Sequence, residues 1–144
     1  MKKKLVILLS ILFLWGCESV PTKTLKQHVT LLFFYIDTCS ECKAFKKEAI
    51  PYLEKTFGDS LTIDQYDLDD DATAPIYDKV IDSLSDFDES LYGNGPFYAV
   101  EGYFAKLGYT SGDGEYLVED IEKAVLHQEL GQELGGLRFL YKES

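Results

Sequence analysis

The chain has 144 residues, of which 46% are hydrophobic, and its formal net charge is −11. This length suits one domain, and the hydrophobic fraction is sufficient for a buried core. Acidic residues outnumber basic residues by 25 to 14. The composition therefore argues against nucleic acid as a partner, because such binding relies on lysine and arginine contacts to phosphate.

The start of the chain indicates export from the cytoplasm. A basic segment, Met1 to Lys4, precedes an apolar run of eleven residues from Leu5 to Trp15. This is typical of a signal peptide, and it is shorter than the about 20 residues that a membrane-spanning helix needs. The run ends in Leu14-Trp15-Gly16-Cys17, which resembles the bacterial lipoprotein signal and implies removal of residues 1–16 and lipidation of Cys17. The alternative is an ordinary secretory signal that leaves Cys17 free.

Either signal places the mature chain outside the cytoplasm, and lipidation would anchor it to the bacterial cell membrane. Residues 17–28 are mostly polar and contain Pro21, so we interpret them as a lipid-anchored tether. A folded domain is predicted over residues 29–130, and a C-terminal tail over residues 131–144.

The first predicted element of the domain is a buried strand from Thr30 to Ile36, which is a continuous apolar run. Cys39 and Cys42 follow it, and apolar residues then recur at mostly helical spacing until Gly58. We therefore expect Cys39 at the entrance of a helix and Cys42 one turn inside it.

These two cysteines point to thiol chemistry. With Cys17 assigned to lipid, Cys39 and Cys42 can pair only with each other or with a partner protein. A helix N-terminus stabilises a thiolate, the form that attacks disulfides, so we predict that Cys39 is the nucleophile and Cys42 the resolving thiol. One alternative is a structural disulfide. Another is half of a zinc site, which lacks paired histidines because only His28 and His127 are present. We expect no metal and no cofactor.

The later elements alternate between strands and helices. A strand is predicted over residues 60–68, a helix over residues 74–84, a hairpin with strands over residues 97–100 and 103–107, and a closing amphipathic helix over residues 116–130. The fold class is therefore α/β. The tail contains an apolar patch from Leu137 to Tyr141, which either docks on the core or binds a partner.

The buried strand, the CxxC pair at a helix start and Pro96 before the hairpin resemble the thioredoxin-like family over about residues 29–127. The resemblance implies a central mixed sheet of about four strands flanked by helices, with a helical insertion before the Pro96 strand. It also implies a cis bond at Pro96, which in this family lies beside the nucleophilic sulfur and presents backbone to the substrate. Gly95 before it leaves room for a bound peptide.

The chain departs from this family around the cysteines. The buried acid that thioredoxins use for proton transfer falls at Phe33, and Ser40-Glu41 replaces the usual pair between the cysteines. The negative charges of Asp37 and Glu41 oppose thiolate formation, which lysines on the helix partly offset. We therefore interpret Asp37, Ser40 and Glu41 as residues that tune the redox potential, and we expect a reductase or isomerase instead of a strong oxidant.

Two functions fit these features. The first is an extracytoplasmic thiol–disulfide oxidoreductase that reduces or isomerises disulfides of exported proteins and exchanges electrons with a membrane redox partner. The second is a non-catalytic accessory or binding lipoprotein, for example in bacteriocin export or immunity, whose cysteines form a structural bridge on a thioredoxin-like scaffold.

Overall fold

The computed structural model describes residues 21–143, so the predicted signal peptide and Cys17 lie outside the described residues. The chain has an α/β fold that is consistent with a thioredoxin-like arrangement, as the sequence predicted. Its strands are β1 (Val29–Tyr35), β2 (Leu61–Asp67), β3 (Phe97–Val100), β4 (Phe104–Leu107) and β5 (Leu137–Leu140). They form one mixed sheet in the order β2-β1-β3-β4-β5.

Strand β1 lies inside the sheet, where it pairs in parallel with β2 and antiparallel with β3. Successive side chains of a strand point to opposite faces, and both faces of β1 are covered. Leu31 and Phe33 contribute to one hydrophobic core, and Leu32 and Phe34 contribute to the other. Two covered faces explain why the sequence of β1 is continuously apolar and shows no alternation.

One face of the sheet is covered by the cysteine helix, which we define as residues 40–57, and by α4 (Gly114–Val125). The cysteine helix consists of α1 (Ser40–Ala44), a π turn (Phe45–Ala49) and α2 (Ile50–Phe57). The sequence predicted this helix but not its π turn. The turn lies directly before the segment with Pro51, which has no N–H to donate to the carbonyl four residues earlier, so a regular α-helix would lose a hydrogen bond there.

The other face is covered by α3 (Ala74–Asp82), whose buried residues Tyr77, Val80 and Ile81 pack against the second core. The predicted insertion before Pro96 thus contains α3 and a short 3-10 turn, Glu89–Leu91. Between residues 21 and 143, no helix is both long enough and apolar enough to cross a membrane.

Both ends of the described chain pack against the folded domain, and for the tail this agrees with the alternative in which its apolar patch docks on the core. Residues of the predicted tether are described from residue 21, and among them Leu25 is buried in the first core. In the predicted tail, Leu137–Leu140 pairs antiparallel with β4 and buries Phe139. The sheet therefore has five strands where about four were expected, because the exposed edge of β4 supplies hydrogen-bond partners to a segment too short to indicate a strand by itself.

Candidate redox site

A disulfide joins Cys39 and Cys42 at the start of the cysteine helix, and their Cα atoms are 5.2 Å apart. Cys39 is the N-cap residue, and the N–H of Cys42 points to the Cys39 sulfur at 3.1 Å. Cys39 is partly exposed, whereas Cys42 is 1% exposed. A partner can therefore reach Cys39 first, and the same N–H is placed to stabilise a thiolate on Cys39 once the disulfide is reduced.

The chain between β1 and the helix sets these positions. The N–H of Cys39 donates to the carbonyl of Ile36 at 3.0 Å, which closes a turn at the end of the strand. Cys42 lies one helical turn further on, and its side chain joins the core cluster that includes Phe45. The predicted placement of Cys39 at the helix entrance and of Cys42 inside the helix is confirmed.

Gly95 and Pro96 lie against the cysteine pair. The peptide bond between them is cis, and the carbonyl oxygen of Gly95 is 3.5 Å from the Cys39 sulfur. A Cβ atom added at residue 95 would lie 3.2 Å from the sulfur of Cys42, so glycine permits this close approach. The pairing of Phe34 with Phe97 brings this segment to the end of β1 that precedes the cysteines.

The three predicted tuning residues have different surroundings. Asp37 is exposed, and its carboxylate lies 3.8 Å from the ammonium of Lys46. Ser40 is exposed and begins α1. Glu41 accepts a hydrogen bond from the backbone N–H of Tyr109 at 3.2 Å. Each residue therefore lies beside the cysteines, but Glu41 alone among them reaches a distant part of the chain.

Aromatic residues form the layer beneath the site. Phe33, where the sequence resemblance would place a buried acid, is fully buried and stacks on Phe45 with ring centroids 4.4 Å apart. Phe45 also packs on Tyr98 at 4.7 Å. At the rim, the ammonium of Lys46 lies 3.0 Å from the ring centroid of Tyr35. Burial, and then the carboxylates of Asp67 and Asp37, raise the pKa of Tyr35.

A row of polar side chains crosses the same face of the sheet away from the cysteines. Tyr98, Lys106 and Arg138 are consecutive cross-strand neighbours on β3, β4 and β5. Lys106 is 1% exposed, and its ammonium donates to the carbonyls of Leu134 at 2.7 Å and Gly136 at 3.3 Å. Burial lowers the pKa of Lys106 to about 8, and the nearby charge of Arg138 adds to this effect. This buried lysine was not singled out from the sequence.

Sequence reasoning also missed the loop that contacts the cysteine helix. Glu48 accepts hydrogen bonds from the Ser111 hydroxyl at 2.7 Å and from the Gly112 N–H at 3.1 Å. Glu41 and Glu48 are seven residues apart, which places them on the same side of a helix after two turns. The seven-residue spacing of Glu41 and Glu48 is visible in the sequence, but it does not identify the loop that the two carboxylates bind.

The site is an open surface. A cavity of about 420 Å³ lies on the other face of the sheet, between α3 and strands β1 and β2. Over residues 21–143, no three or more histidine, cysteine or acidic side chains lie together in a group that could hold a metal ion. A partly exposed Cys39 sulfur beside a backbone carbonyl suits an extended peptide more than an enclosed small molecule. No protein-family model, curated protein or solved structure matches this chain.

Proposed function

We propose that this protein is an extracytoplasmic thiol–disulfide oxidoreductase that reduces or isomerises disulfides of exported proteins. One observation carries the proposal: the Cys39–Cys42 disulfide lies at a helix start, with a partly exposed first sulfur and a buried second sulfur. This asymmetry matches the different tasks of an attacking thiol and a resolving thiol.

The chemistry proceeds in two exchanges. In the reduced protein, the Cys39 thiolate attacks one sulfur of a substrate disulfide, so that a mixed disulfide forms and one substrate thiolate leaves. The Cys42 thiolate then attacks the Cys39 sulfur and displaces the second substrate thiolate. The substrate gains two electrons, and the dithiol is oxidised to the disulfide. A membrane redox partner that supplies two electrons would restore the dithiol.

Gly95 and Pro96 are proposed to position the substrate. The Gly95 carbonyl lies 3.5 Å from the Cys39 sulfur, so an extended substrate segment that hydrogen-bonds to the backbone of residues 95 and 96 would pass close to that sulfur. Gly95 has no side chain to obstruct such a segment.

The protein is further proposed to act at the membrane through a lipid on Cys17. A Cys17→Ser variant is expected to move from the membrane fraction to the soluble fraction while its purified form keeps the thiol exchange activity, since this change leaves Cys39 and Cys42 intact. A wild-type protein from the membrane fraction whose mass shows no lipid on Cys17 would contradict lipid anchoring there.

A glutathione redox titration of the full-length protein tests the main proposal, with acid quenching, alkylation and mass measurement. We expect a reversible equilibrium at a potential of about −120 to −270 mV and faster alkylation of Cys39 than of Cys42. Cys39→Ser should abolish exchange, and Cys42→Ser should accumulate the mixed disulfide. A disulfide that the glutathione pool does not reduce, with neither thiol unusually reactive after chemical reduction, would reject an oxidoreductase.

The second candidate is a non-catalytic accessory module on the same scaffold. The observation that favours it is the apolar contact of Phe33 with Phe45, which occupies the place of the family's proton-transferring acid. A Cys39→Ser, Cys42→Ser double variant that complements a deletion strain would support this candidate, and loss of complementation by a stably folded double variant would support the oxidoreductase.

A further inference from the structure

The loop after β4 is held to the cysteine helix by two carboxylates. We call residues 108–112 the clamp loop. Glu41 accepts the N–H of Tyr109 at 3.2 Å. Glu48 accepts the N–H of Gly112 at 3.1 Å, and both of its oxygens lie within 2.8 Å of the Ser111 hydroxyl. The clamp loop is therefore fixed at two points, so that Tyr109 offers Glu41 a well-defined hydrogen-bond donor.

The clamp loop also contacts the segment that packs on the sulfurs. The N–H of Gly108 donates to the carbonyl of Pro96 at 2.8 Å. Gly108 has a φ of +94°, which favours glycine, and a Cβ added there would lie 3.7 Å from the carboxylate of Glu41. One hydrogen bond thus connects Glu41 to Tyr109, and a second connects Gly108, the residue before Tyr109, to Pro96. Gly95, next to Pro96, lies against both sulfurs.

We propose that Glu41 is a positioning residue for the exchange reaction, and that it acts through its hydrogen bond to the clamp loop instead of through its negative charge. This inference rests on the proposed oxidoreductase function. Glu41 lies between the two cysteines, and its hydrogen bond with Tyr109 holds the start of the helix against the clamp loop. The clamp loop in turn is bonded to Pro96 through Gly108, so the start of the helix is kept close to Pro96. Cys42 can then meet the Cys39 sulfur of the mixed disulfide in one orientation.

The surroundings of Glu41 weaken the alternative in which charge dominates. The carboxylate faces the positive end of the Tyr109 N–H dipole, and the residue is exposed. Water and salt screen the interaction of an exposed carboxylate with a nearby sulfur, whereas a hydrogen bond to a fixed loop keeps its geometry.

Glutamine separates the two explanations, because its side-chain carbonyl accepts the same hydrogen bond without the charge. The experiment compares full-length wild type, Glu41→Gln, Glu41→Ala and the control Glu54→Ala, which removes an exposed carboxylate from α2 of the same helix. Each reduced protein is mixed with oxidised glutathione and quenched with acid over time. Mass measurement then gives the rate of mixed-disulfide formation at Cys39 and the rate of its resolution by Cys42.

The steps balance in electrons. The Cys39 thiolate displaces one glutathione thiolate, and the Cys42 thiolate displaces the second, so that one molecule of oxidised glutathione becomes two thiols and the dithiol becomes a disulfide. We expect Glu41→Ala to slow resolution about tenfold, which is the upper end of the effect of one hydrogen bond to an uncharged acceptor. Glu41→Gln should resolve within about twofold of wild type, and so should Glu54→Ala.

The pH profile of Cys39 alkylation gives a second readout, which a purely structural role of Glu41 would not alter. If charge dominates, Glu41→Gln and Glu41→Ala will shift this profile equally and change resolution equally, and that result would overturn the proposal. Wild-type resolution by Glu41→Ala would overturn it too. If wild type reacts with oxidised glutathione to form neither the mixed disulfide nor the Cys39–Cys42 disulfide, the oxidoreductase function itself fails, which is a distinguishable result.

Discussion

The buried Lys106 should make the stability of this protein depend on pH in an unusual direction. Its ammonium is enclosed between β4 and the segment before β5, where it donates to the carbonyls of Leu134 and Gly136. Arg138, Asp120 and Asp113 are the charged groups that act on it. Replacing Lys106 by methionine removes the titrating group and keeps an unbranched, mostly apolar side chain in its place.

The magnitude follows from the change in pKa. Burial lowers the pKa of Lys106 from 10.5 to about 8 in the folded protein. Between these values the unfolded chain binds more protons than the folded chain, so the free energy of unfolding rises as the pH increases from about 8 toward 10.5. One pKa unit corresponds to 1.36 kcal/mol, so the free energy of unfolding rises by about 3 kcal/mol over the whole range. By about pH 9.5 the rise is about 2 kcal/mol.

Urea denaturation at about pH 7 and about pH 9.5 measures this effect. The free energy of unfolding of wild type, relative to that of Lys106→Met, should rise by about 2 kcal/mol between the two conditions. Lys79→Met, which removes an exposed lysine from α3, should change with pH as wild type does. Free tyrosines, whose pKa is about 10, begin to titrate near the upper pH, and the comparison with Lys106→Met cancels their contribution because both proteins have the same tyrosines. Equal changes in wild type and Lys106→Met would refute the buried, low-pKa lysine.

Three other substitutions test the site and its support. Gly95→Ala places a Cβ 3.2 Å from the sulfur of Cys42, so we expect several-fold slower resolution of a glutathione mixed disulfide, measured by acid quench; an unchanged rate would show that the two segments separate freely. The Asp120 carboxylate pairs with Arg138, and the Asp120 side chain is 2% exposed. Asp120→Ala leaves Arg138 without this partner and should lower the free energy of unfolding, measured in urea, by about 3 kcal/mol. A loss below about 1 kcal/mol would mean that water solvates Arg138 in the variant. Phe45→Ala removes a fully buried ring beneath the cysteines and should cost about 3 to 5 kcal/mol in the same assay, unless the core collapses into the space.

The parts of the fold that the sequence predicted have strong local signals. The apolar run of β1 is long enough to identify a strand covered on both faces, and Cys39 and Cys42 mark the helix that follows. The hairpin of β3 and β4 follows Gly95-Pro96 and has its own turn, so its pairing is local in the chain. These elements need little information from distant residues.

The parts that were missed depend on long-range contacts. Strand β5 has only four residues and follows Gly135 and Gly136, and its paired residues in β4 lie 30 to 36 residues earlier in the chain. The hydrogen bond of Glu41 with Tyr109 spans 68 residues. From the sequence, Glu41 was interpreted only as a charge near the cysteines. A single sequence does not show that the clamp loop folds back on the helix, and it does not show the direction of the Glu41 side chain.

The position of β5 in the chain has a consequence for biosynthesis. Strand β5 lies at the edge of the sheet beside β4, and every other strand precedes it in the chain, so β4 presents an unpaired edge while residues 108–136 emerge. Such an edge can pair with the edge of another nascent chain. During this interval the ammonium of Lys106 also lacks the carbonyls of Leu134 and Gly136. The β4 edge therefore stays open until the last strand pairs with it, after Cys39 and Cys42 have already emerged.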